Sequence, residues 1–381
     1  MKFGMRSTGQ IVLCRVALMV AIINSCKQAP QESSVNSLDV VAPGGPQEVI
    51  PEGEAEATSK VLEIITDRLK SDYPSGVRPA RRDAHAKHHG CVIADFSVIE
   101  NIEPSLAVGV FRPGSRYKAW IRYSNGNGKD QPDSTGDGRG MAIKITGVPG
   151  SKILEGERDA STQDFLMINH PVFFVRNAAD YVEFSSKSAD GNPFTFFINL
   201  NPFNWHLREL NVAREIQSKK VGNPLKIQYW SMTPYLLGQS AIKFSAKPCS
   251  ANDDSPGVGR DYLREAMGKT LTSGSACFDF LVQRQGDPAK MPIEDPTVDW
   301  DSSLAPFKKI ATITIPKQSF DSKKQMDFCE NMSMTPWHSL PDHRPLGGIN
   351  RVRRSIYEGI SKLRHKMNGV TRAEPTGNER F

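Results

Sequence analysis

Residues 117–123 read Tyr-Lys-Ala-Trp-Ile-Arg-Tyr, and residues 141–145 read Met-Ala-Ile-Lys-Ile. Apolar and polar side chains alternate in both stretches, a pattern that predicts antiparallel strands with one face buried. Further strand-like segments lie at 92–98, 164–168, 241–246, 277–283 and 309–315. Helical spacing of apolar residues occurs at 58–69, 203–218 and 350–367. The sequence therefore predicts an α+β fold in which an antiparallel β-barrel carries attached helices.

The N-terminal residues have the pattern of an export signal. A basic start, Lys2 and Arg6, precedes an apolar run at 16–23 that is too short to span a bilayer. The following Ile23-Asn-Ser-Cys26 resembles a bacterial lipobox, in which Cys26 is acylated and becomes the new N-terminus. We expect residues 1–26 to be a signal peptide and the mature chain to be exported, as a periplasmic protein or a membrane-anchored lipoprotein. Plain cleavage and cytoplasmic retention are the alternatives.

Composition divides the remainder of the chain. Residues 27–57 are rich in Pro, Glu, Ser and Gln, which predicts a flexible tether. One globular domain is expected over residues 58–368, followed by a flexible tail at 369–381. The net charge is +6, but no dense basic run with interleaved aromatic residues is present. Nucleic-acid binding is therefore not expected.

Four cysteines lie beyond the leader: Cys91, Cys249, Cys277 and Cys329. They are widely spaced and contain no CxxC pair, so the pattern indicates neither a zinc motif nor a dense disulfide framework. Free thiols and disulfides both remain open.

The predicted C-terminal helix carries the first candidate site. Arg353 and Tyr357 are four residues apart and share a face, and Arg364 lies two turns further along that side. A guanidinium near a phenol favours the phenolate, a hard anion that suits ferric iron. Taken alone, the same pattern also fits a solvated helix face beside a core aromatic residue.

Three other segments gather chemically useful side chains. The first reads Arg82-Asp-Ala-His85-Ala-Lys-His88-His89-Gly90. Its three histidines have metal-ligand spacing if helical, but neither HExxH nor a completing carboxylate is present, so ordinary structural histidines are the alternative. The other two segments are Ile121-Arg122-Tyr-Ser124 and Asn169-His-Pro171-Val-Phe173-Phe174-Val-Arg176.

Taken together and in this order, these segments resemble the catalase family, over about Ser75 to Lys366. Two further landmarks of that family are similar to segments here, Asp137-Gly-Arg139-Gly140-Met-Ala-Ile-Lys144 and Tyr229-Trp-Ser231-Met-x-Pro234. The resemblance implies ferric haem b bound through Tyr357, with His85 as the catalytic base and Asn169 as a catalytic amide donor. It also implies a set of residues that contact the haem, its propionates or its axial ligand: Arg82, Arg122, Ser124, Phe173, Arg353 and Arg364.

The chain also departs from the family pattern. An ungapped comparison puts Ile168 at the catalytic asparagine, so Asn169 fills that role only after a shift of one residue. Ser361 stands where family members often have histidine. The sequence also ends soon after the proximal helix, which places it with the short catalase-like proteins, including peroxidases and allene oxide synthases.

The expected function is haem-dependent breakdown of peroxides by an oxidoreductase, on hydrogen peroxide or organic hydroperoxides, in defence against oxidative stress. Two alternatives stay open. One is allene-oxide-synthase-like rearrangement of fatty-acid hydroperoxides, and the other is a non-enzymatic haem-binding lipoprotein. The implied partners are a peroxide substrate and, through a lipid on Cys26, a membrane. The oligomeric state is open.

Overall fold

A closed sheet forms the centre of the protein, seen in a computed structural model that describes residues 46–250 and 255–381. The predicted signal peptide, the acylation of Cys26 and the first part of the tether lie outside the described residues. The described residues contain nine strands: β1 His88–Val98, β2 Arg116–Asn125, β3 Arg139–Thr146, β4 Thr162–Ile168, β5 Tyr229–Trp230, β6 Tyr235–Leu237, β7 Ser240–Pro248, β8 Ala276–Arg284 and β9 Lys308–Ile315.

All strand pairs are antiparallel, in the order β5-β4-β3-β2-β1-β9-β8-β7-β6. The short strand β5 pairs with β4 through Ile168↔Trp230 and with β7 through Trp230↔Ser245. This double pairing closes the sheet into a barrel, while β6 pairs only with β7 among the strands. The predicted antiparallel barrel with attached helices is confirmed.

Alternation along each strand decides which side chains fill the barrel. On β2, Ile121 and Tyr123 belong to the interior core, whereas Arg122 and Ser124 alternate with them and face outward. The interior is dominated by aromatic rings in mutual contact: Phe96, Phe111, Phe165, Phe244 and Phe280. The polar residues of the alternating pattern are therefore available on the outer face of the barrel.

Seven α-helices surround the barrel in the described part of the chain: α1 Glu54–Asp72, α2 Ala178–Ala189, α3 Phe194–Phe197, α4 Leu207–Ser218, α5 Tyr262–Ser273, α6 Lys323–Asn331 and α7 Gly348–Asn368. A second core joins α1 to α7 through residues such as Val61 and Ile356. Helix α7 ends where Gly369 adopts a left-handed conformation with φ 67°, the usual conformation for glycine after a helix.

The structure differs from the predicted domain boundaries at both ends of the domain. We expected a flexible tether up to residue 57, but α1 begins at Glu54 and Glu48 forms ion pairs with Arg344 and Arg351. We also expected a flexible tail after residue 368. Instead Glu374 pairs with buried Lys144, and Glu379 accepts a hydrogen bond from Trp120. Composition did not reveal these long-range ion pairs.

The four cysteines form two disulfides, a question that the sequence left open. Cys91–Cys329 joins β1 to α6, and Cys249–Cys277 joins the segment after β7 to β8.

In the described part of the chain, no helix combines the length and apolar character needed to cross a membrane.

Candidate functional site

His85 lies in the loop that leads into β1, and its backbone is unusual. Its φ of 58° is in the left-handed region, which is uncommon for a residue with a side chain and signals a constraint. Its N–H donates to Gly126 O at 2.9 Å, and its carbonyl accepts from Arg122 Nη2 at 2.8 Å. Imidazole Nδ1 lies 3.0 Å from Ser124 Oγ. Main chain and ring are thus both fixed against the outer face of β2.

Gly140 on β3 makes room for this arrangement. It pairs with Ser124 on β2 and with Ile168 on β4, so these three residues form one row across the sheet. A Cβ at Gly140 would lie 2.6 Å from His85 Nδ1 and 2.7 Å from Ser124 Oγ. The close approach of the imidazole to the sheet therefore requires glycine here.

The electrostatic setting keeps the His85 imidazole neutral. Burial, aided by the nearby charges of Arg122, Arg353 and Arg82, lowers its pKa to about 3. Nδ1 contacts Ser124, and the ring also interacts with the backbone of Asn125. A neutral ring held in this way is suited to accepting and returning a proton.

Ile168, rather than Asn169, occupies the strand position beside Gly140. The Asn169 carboxamide is held one residue further on, where its Oδ1 accepts from the backbone N–H of Arg139 at 2.7 Å. The Asn169 N–H in turn donates to Arg139 O at 3.0 Å. The structure therefore places Ile168 in the row next to His85 and uses Asn169 Oδ1 to extend the β3–β4 pairing. Asn169 Nδ2 makes no hydrogen bond within the described residues.

His88 and His89 do not join His85 in a metal site. His88 and His89 lie at the start of β1, where the register with β2 shifts, and their rings contact different groups. His88 Nε2 lies 3.4 Å from Glu330 Oε2, and His89 Nε2 lies 3.0 Å from Asn125 Oδ1. The helical spacing needed for three histidine ligands is thus not formed.

Helix α7 carries the second half of the site. Arg353 Nη2 donates to the Tyr357 hydroxyl at 3.2 Å, and its guanidinium lies 5.2 Å from the centre of the Tyr357 ring. Arg353 Nη1 also donates to Asn350 Oδ1 at 3.1 Å and to Thr233 Oγ1 at 3.3 Å. Burial alone would lower the Arg353 pKa, but the phenol groups of Tyr357 and Tyr235 raise it overall. The guanidinium beside Tyr357 is therefore a permanent cation.

Two arginines meet a single carboxylate between these two halves, and a third lies near it. Arg82 Nη1 lies 3.4 Å from Glu330 Oε1, and Arg364 contacts the same oxygen. Arg122 is buried, its Nε has no partner within the described residues, and burial together with the charge of Arg82 lowers its pKa well below the usual range. Burial also lowers the Arg364 pKa to about 10, with Arg82 adding to the effect. This cluster has an excess of positive charge.

Phe173 lies among aromatic rings beside this region. Its ring centre is 5.0 Å from that of Phe174 and 6.1 Å from that of Tyr181 on α2. Burial raises the Tyr181 pKa, and the charges of Asp83 and Tyr357 act in the same direction. Sequence reasoning missed both Tyr181 and Glu330, because neither belongs to a motif and each reaches the site only through tertiary packing.

These residues fit a haem with two propionates. The surplus of guanidinium charge and the unpaired Arg122 Nε suit two carboxylates. Tyr357, held beside a permanent cation, has the donor chemistry of a ferric ligand. Neutral His85 supplies a proton acceptor.

Part of the sequence and the fold of the chain are similar to those of known proteins. Residues 76–207 match the family model described as Catalase. The fold is similar to that of a fungal catalase, with TM-score 0.59, 14% identity and coverage of 89% of this chain and 69% of that one. It is also similar to catalase A from Saccharomyces cerevisiae, with TM-score 0.61, 15% identity and coverage of 91% and 72%. For a bacterial catalase the values are 0.55, 16%, 87% and 64%. A search of curated proteins found no significant match.

Residues 76–207 are thus similar in sequence to the Catalase family, and the chain has a fold similar to that of solved catalases. The match in sequence includes the His85 segment, Ser124 and Phe173. Helix α7, which carries Arg353 and Tyr357, lies beyond the matched residues.

Proposed function

We propose that the protein is a haem-dependent oxidoreductase that breaks down peroxides, with ferric haem b bound through Tyr357. One observation carries the proposal. Arg82, three residues before His85, and Arg364, seven residues after Tyr357, bind the same Glu330 carboxylate. The segments that resemble the two sides of a haem site therefore converge on one cationic cluster.

Binding rests on the arginines. Arg82, Arg122 and Arg364 would hold the two propionates by charge-assisted hydrogen bonds, which are stronger than neutral ones. Glu330 neutralises part of this charge in the haem-free protein and competes with the propionates for Arg82 and Arg364. Phe173 would contact the macrocycle from the side of His85.

Haem, when bound, supplies the redox chemistry for cleavage of the peroxide bond. The side chains accept and donate the proton. His85 would take a proton from one peroxide oxygen and return it to the leaving oxygen, while Ser124 orients the imidazole. A base held in this way typically contributes ~10²–10⁴-fold to the rate. Arg353 donates a hydrogen bond to the Tyr357 hydroxyl and places a cation beside it.

The residue beside His85 bears on the substrate. Ile168 gives this part of the site an apolar side chain, where an amide would bind the outer oxygen of hydrogen peroxide. An apolar group favours substrates that carry hydrocarbon. We therefore propose organic hydroperoxides, including those of fatty acids, as the preferred substrates, with hydrogen peroxide as a slower one. Asn169 Nδ2 is the remaining candidate for a distal amide donor.

Absorption spectra of the purified protein test this function. We expect a ferric haem spectrum that changes within seconds after addition of cumene hydroperoxide and more slowly after hydrogen peroxide. Loss of peroxide, measured in parallel, separates breakdown of the substrate from damage to the haem. Bound haem that leaves both peroxides intact would instead support a haem carrier, and a protein that binds no haem would refute both functions.

We propose an exported location as well. Disulfides persist in oxidising compartments and are rare in reducing ones. This protein has two. Their presence supports export, with acylation of Cys26 as the proposed attachment to the membrane. Mass spectrometry of the N-terminal peptide from the membrane fraction tests the acylation: an intact Met1 or a peptide without acyl mass contradicts it.

A further inference from the structure

An apolar loop projects from the surface between α2 and α4. We define it as residues 191–207, which carry no charged side chain. Leu200 is 105% exposed and Phe203 is 94% exposed, and three more large apolar residues are exposed beside them: Phe194, Trp205 and Leu207. Contiguous exposed apolar surface of this kind marks an interaction site in soluble domains.

The loop is held together internally, so its exposed side chains are presented on a defined backbone. Trp205 Nε1 donates to Asn199 O at 2.9 Å, and the His206 N–H donates to Phe197 O at 2.9 Å. On the inner side, Phe196 and Phe197 are buried in a core with Leu210. The apolar residues on the outer side have no such cover within the described part of the chain.

The loop lies on the same side as the N-terminal end of the described chain. The Val49 N–H donates to Glu294 Oε1 at 3.0 Å, and Arg208, directly after the loop, donates to Asp295 Oδ2 at 3.2 Å. These two contacts are made to consecutive residues. Val49 and Ile50 are themselves exposed, near the N-terminal end of the described chain.

We propose that the apolar loop, together with Val49 and Ile50, docks on a lipid bilayer. Trp and Phe are favoured at the membrane interface, where apolar rings enter the acyl region and polar groups remain hydrated. The asparagines interspersed in the loop suit the hydrated level of the interface. The chain from Cys26 to Pro46 reaches at most ~70 Å when extended, so an acyl group on Cys26 would keep this surface near the membrane. The proposal rests on export, and it is independent of the peroxide chemistry.

Quenching of Trp205 fluorescence by brominated lipid tests the contact directly. Trp205 is exposed, Trp230 is partly buried, and Trp120, Trp300 and Trp337 are buried. The protein from the membrane fraction is reconstituted into vesicles of phosphatidylcholine brominated on its acyl chains. We expect strong quenching, which Trp205→Phe removes.

A second measurement separates docking from anchoring. Leu200→Ser with Phe203→Ser should lower vesicle partitioning at least ~10-fold, because each side chain loses apolar burial. Val258→Ser, at an equally exposed residue outside the loop, should leave partitioning unchanged. Equal quenching in wild type and Trp205→Phe would overturn the proposal. A concentration-dependent dimer in sedimentation that Leu200→Ser abolishes would also overturn it. The apolar loop would then bind a second copy of the chain rather than a membrane.

Discussion

Tyr357 accepts its hydrogen bond from Arg353, and Arg353 is anchored by Thr233 and Asn350 as well. The guanidinium is thus positioned by three side chains on two segments of the fold. This arrangement keeps a cation beside the phenol whether or not a ligand is present. The proposed iron ligand is therefore prepared by the fold before haem binds.

Tyr357→Phe should lose haem or change its axial ligand, because the phenol oxygen is the proposed donor to iron. Absorption and EPR spectra of the reconstituted variant provide the measurement. Tyr117→Phe is a matched control, since its hydroxyl donates only to Val110 O among the described residues. A Tyr357→Phe spectrum identical to that of wild type would show that Tyr357 does not bind the iron.

His85→Ala should retain haem but react with peroxide at least ~10²-fold more slowly, because the proposed base is absent. Stopped-flow mixing with hydrogen peroxide and with a fatty-acid hydroperoxide measures the rates. His88→Ala and His89→Ala should react at rates near wild type, and the His89 variant should lose stability because its buried ring pairs with Asn125. Wild-type rates of His85→Ala with both peroxides would favour the haem-carrier function.

Gly140→Ala should slow the same reaction by about 10²-fold, since its Cβ would displace the His85 ring and Ser124 from their present positions. Gly156→Ala is the control, because a Cβ there meets no atom within 4 Å. Rates and haem content are measured together. A fully active Gly140→Ala protein would show that the contact between His85 and Ser124 is dispensable.

Glu330→Gln should bind haem about tenfold more tightly, because the propionates no longer compete with a carboxylate for Arg82 and Arg364. The haem-free variant should lose about 3 kcal/mol of unfolding free energy, since buried guanidinium groups remain without an anion. Haem titration and urea unfolding measure the two effects. Asp327→Asn, at an exposed residue on the same helix, should change neither haem binding nor stability. Weaker haem binding by Glu330→Gln would contradict competition between Glu330 and the propionates.

Acid should destabilise the protein before its carboxylates titrate. Burial lowers the pKa of His85, His89 and His343 from 6.5 to about 3, and that of His170 to about 4. Between pH 6.5 and 4.5 the unfolded chain therefore binds protons that the folded chain does not, and stability falls as the pH falls. Each histidine that is fully protonated in the unfolded chain and neutral in the folded chain lowers the unfolding free energy by about 1.4 kcal/mol per pH unit. Urea unfolding at several pH values measures how steeply the stability falls with pH. His170→Gln should reduce this slope. A stability that does not change with pH would refute the prediction.

The barrel was predictable because its strands alternate sharply between core and outer residues, as Ile121, Arg122 and Tyr123 illustrate. The position of Asn169 was harder to predict, because a shift of one residue moves a side chain to another face and only the strand register decides between Ile168 and Asn169. Glu330 was not predictable, because its role arises from contacts of helix α6 with two arginines that are distant in sequence. The packed C-terminal residues likewise depend on ion pairs that cross most of the sequence.

The segment from Tyr229 to Thr233 joins the two sides of the site. Its strand closes the barrel by pairing Trp230 with Ile168, and three residues later Thr233 supports Arg353. Rebuilding the end of β4 to widen the His85 side of the site would therefore also move the support of Arg353, which lies beside the proposed iron ligand. The two sides of the site cannot be redesigned independently unless the segment from Tyr229 to Thr233 is first stabilised.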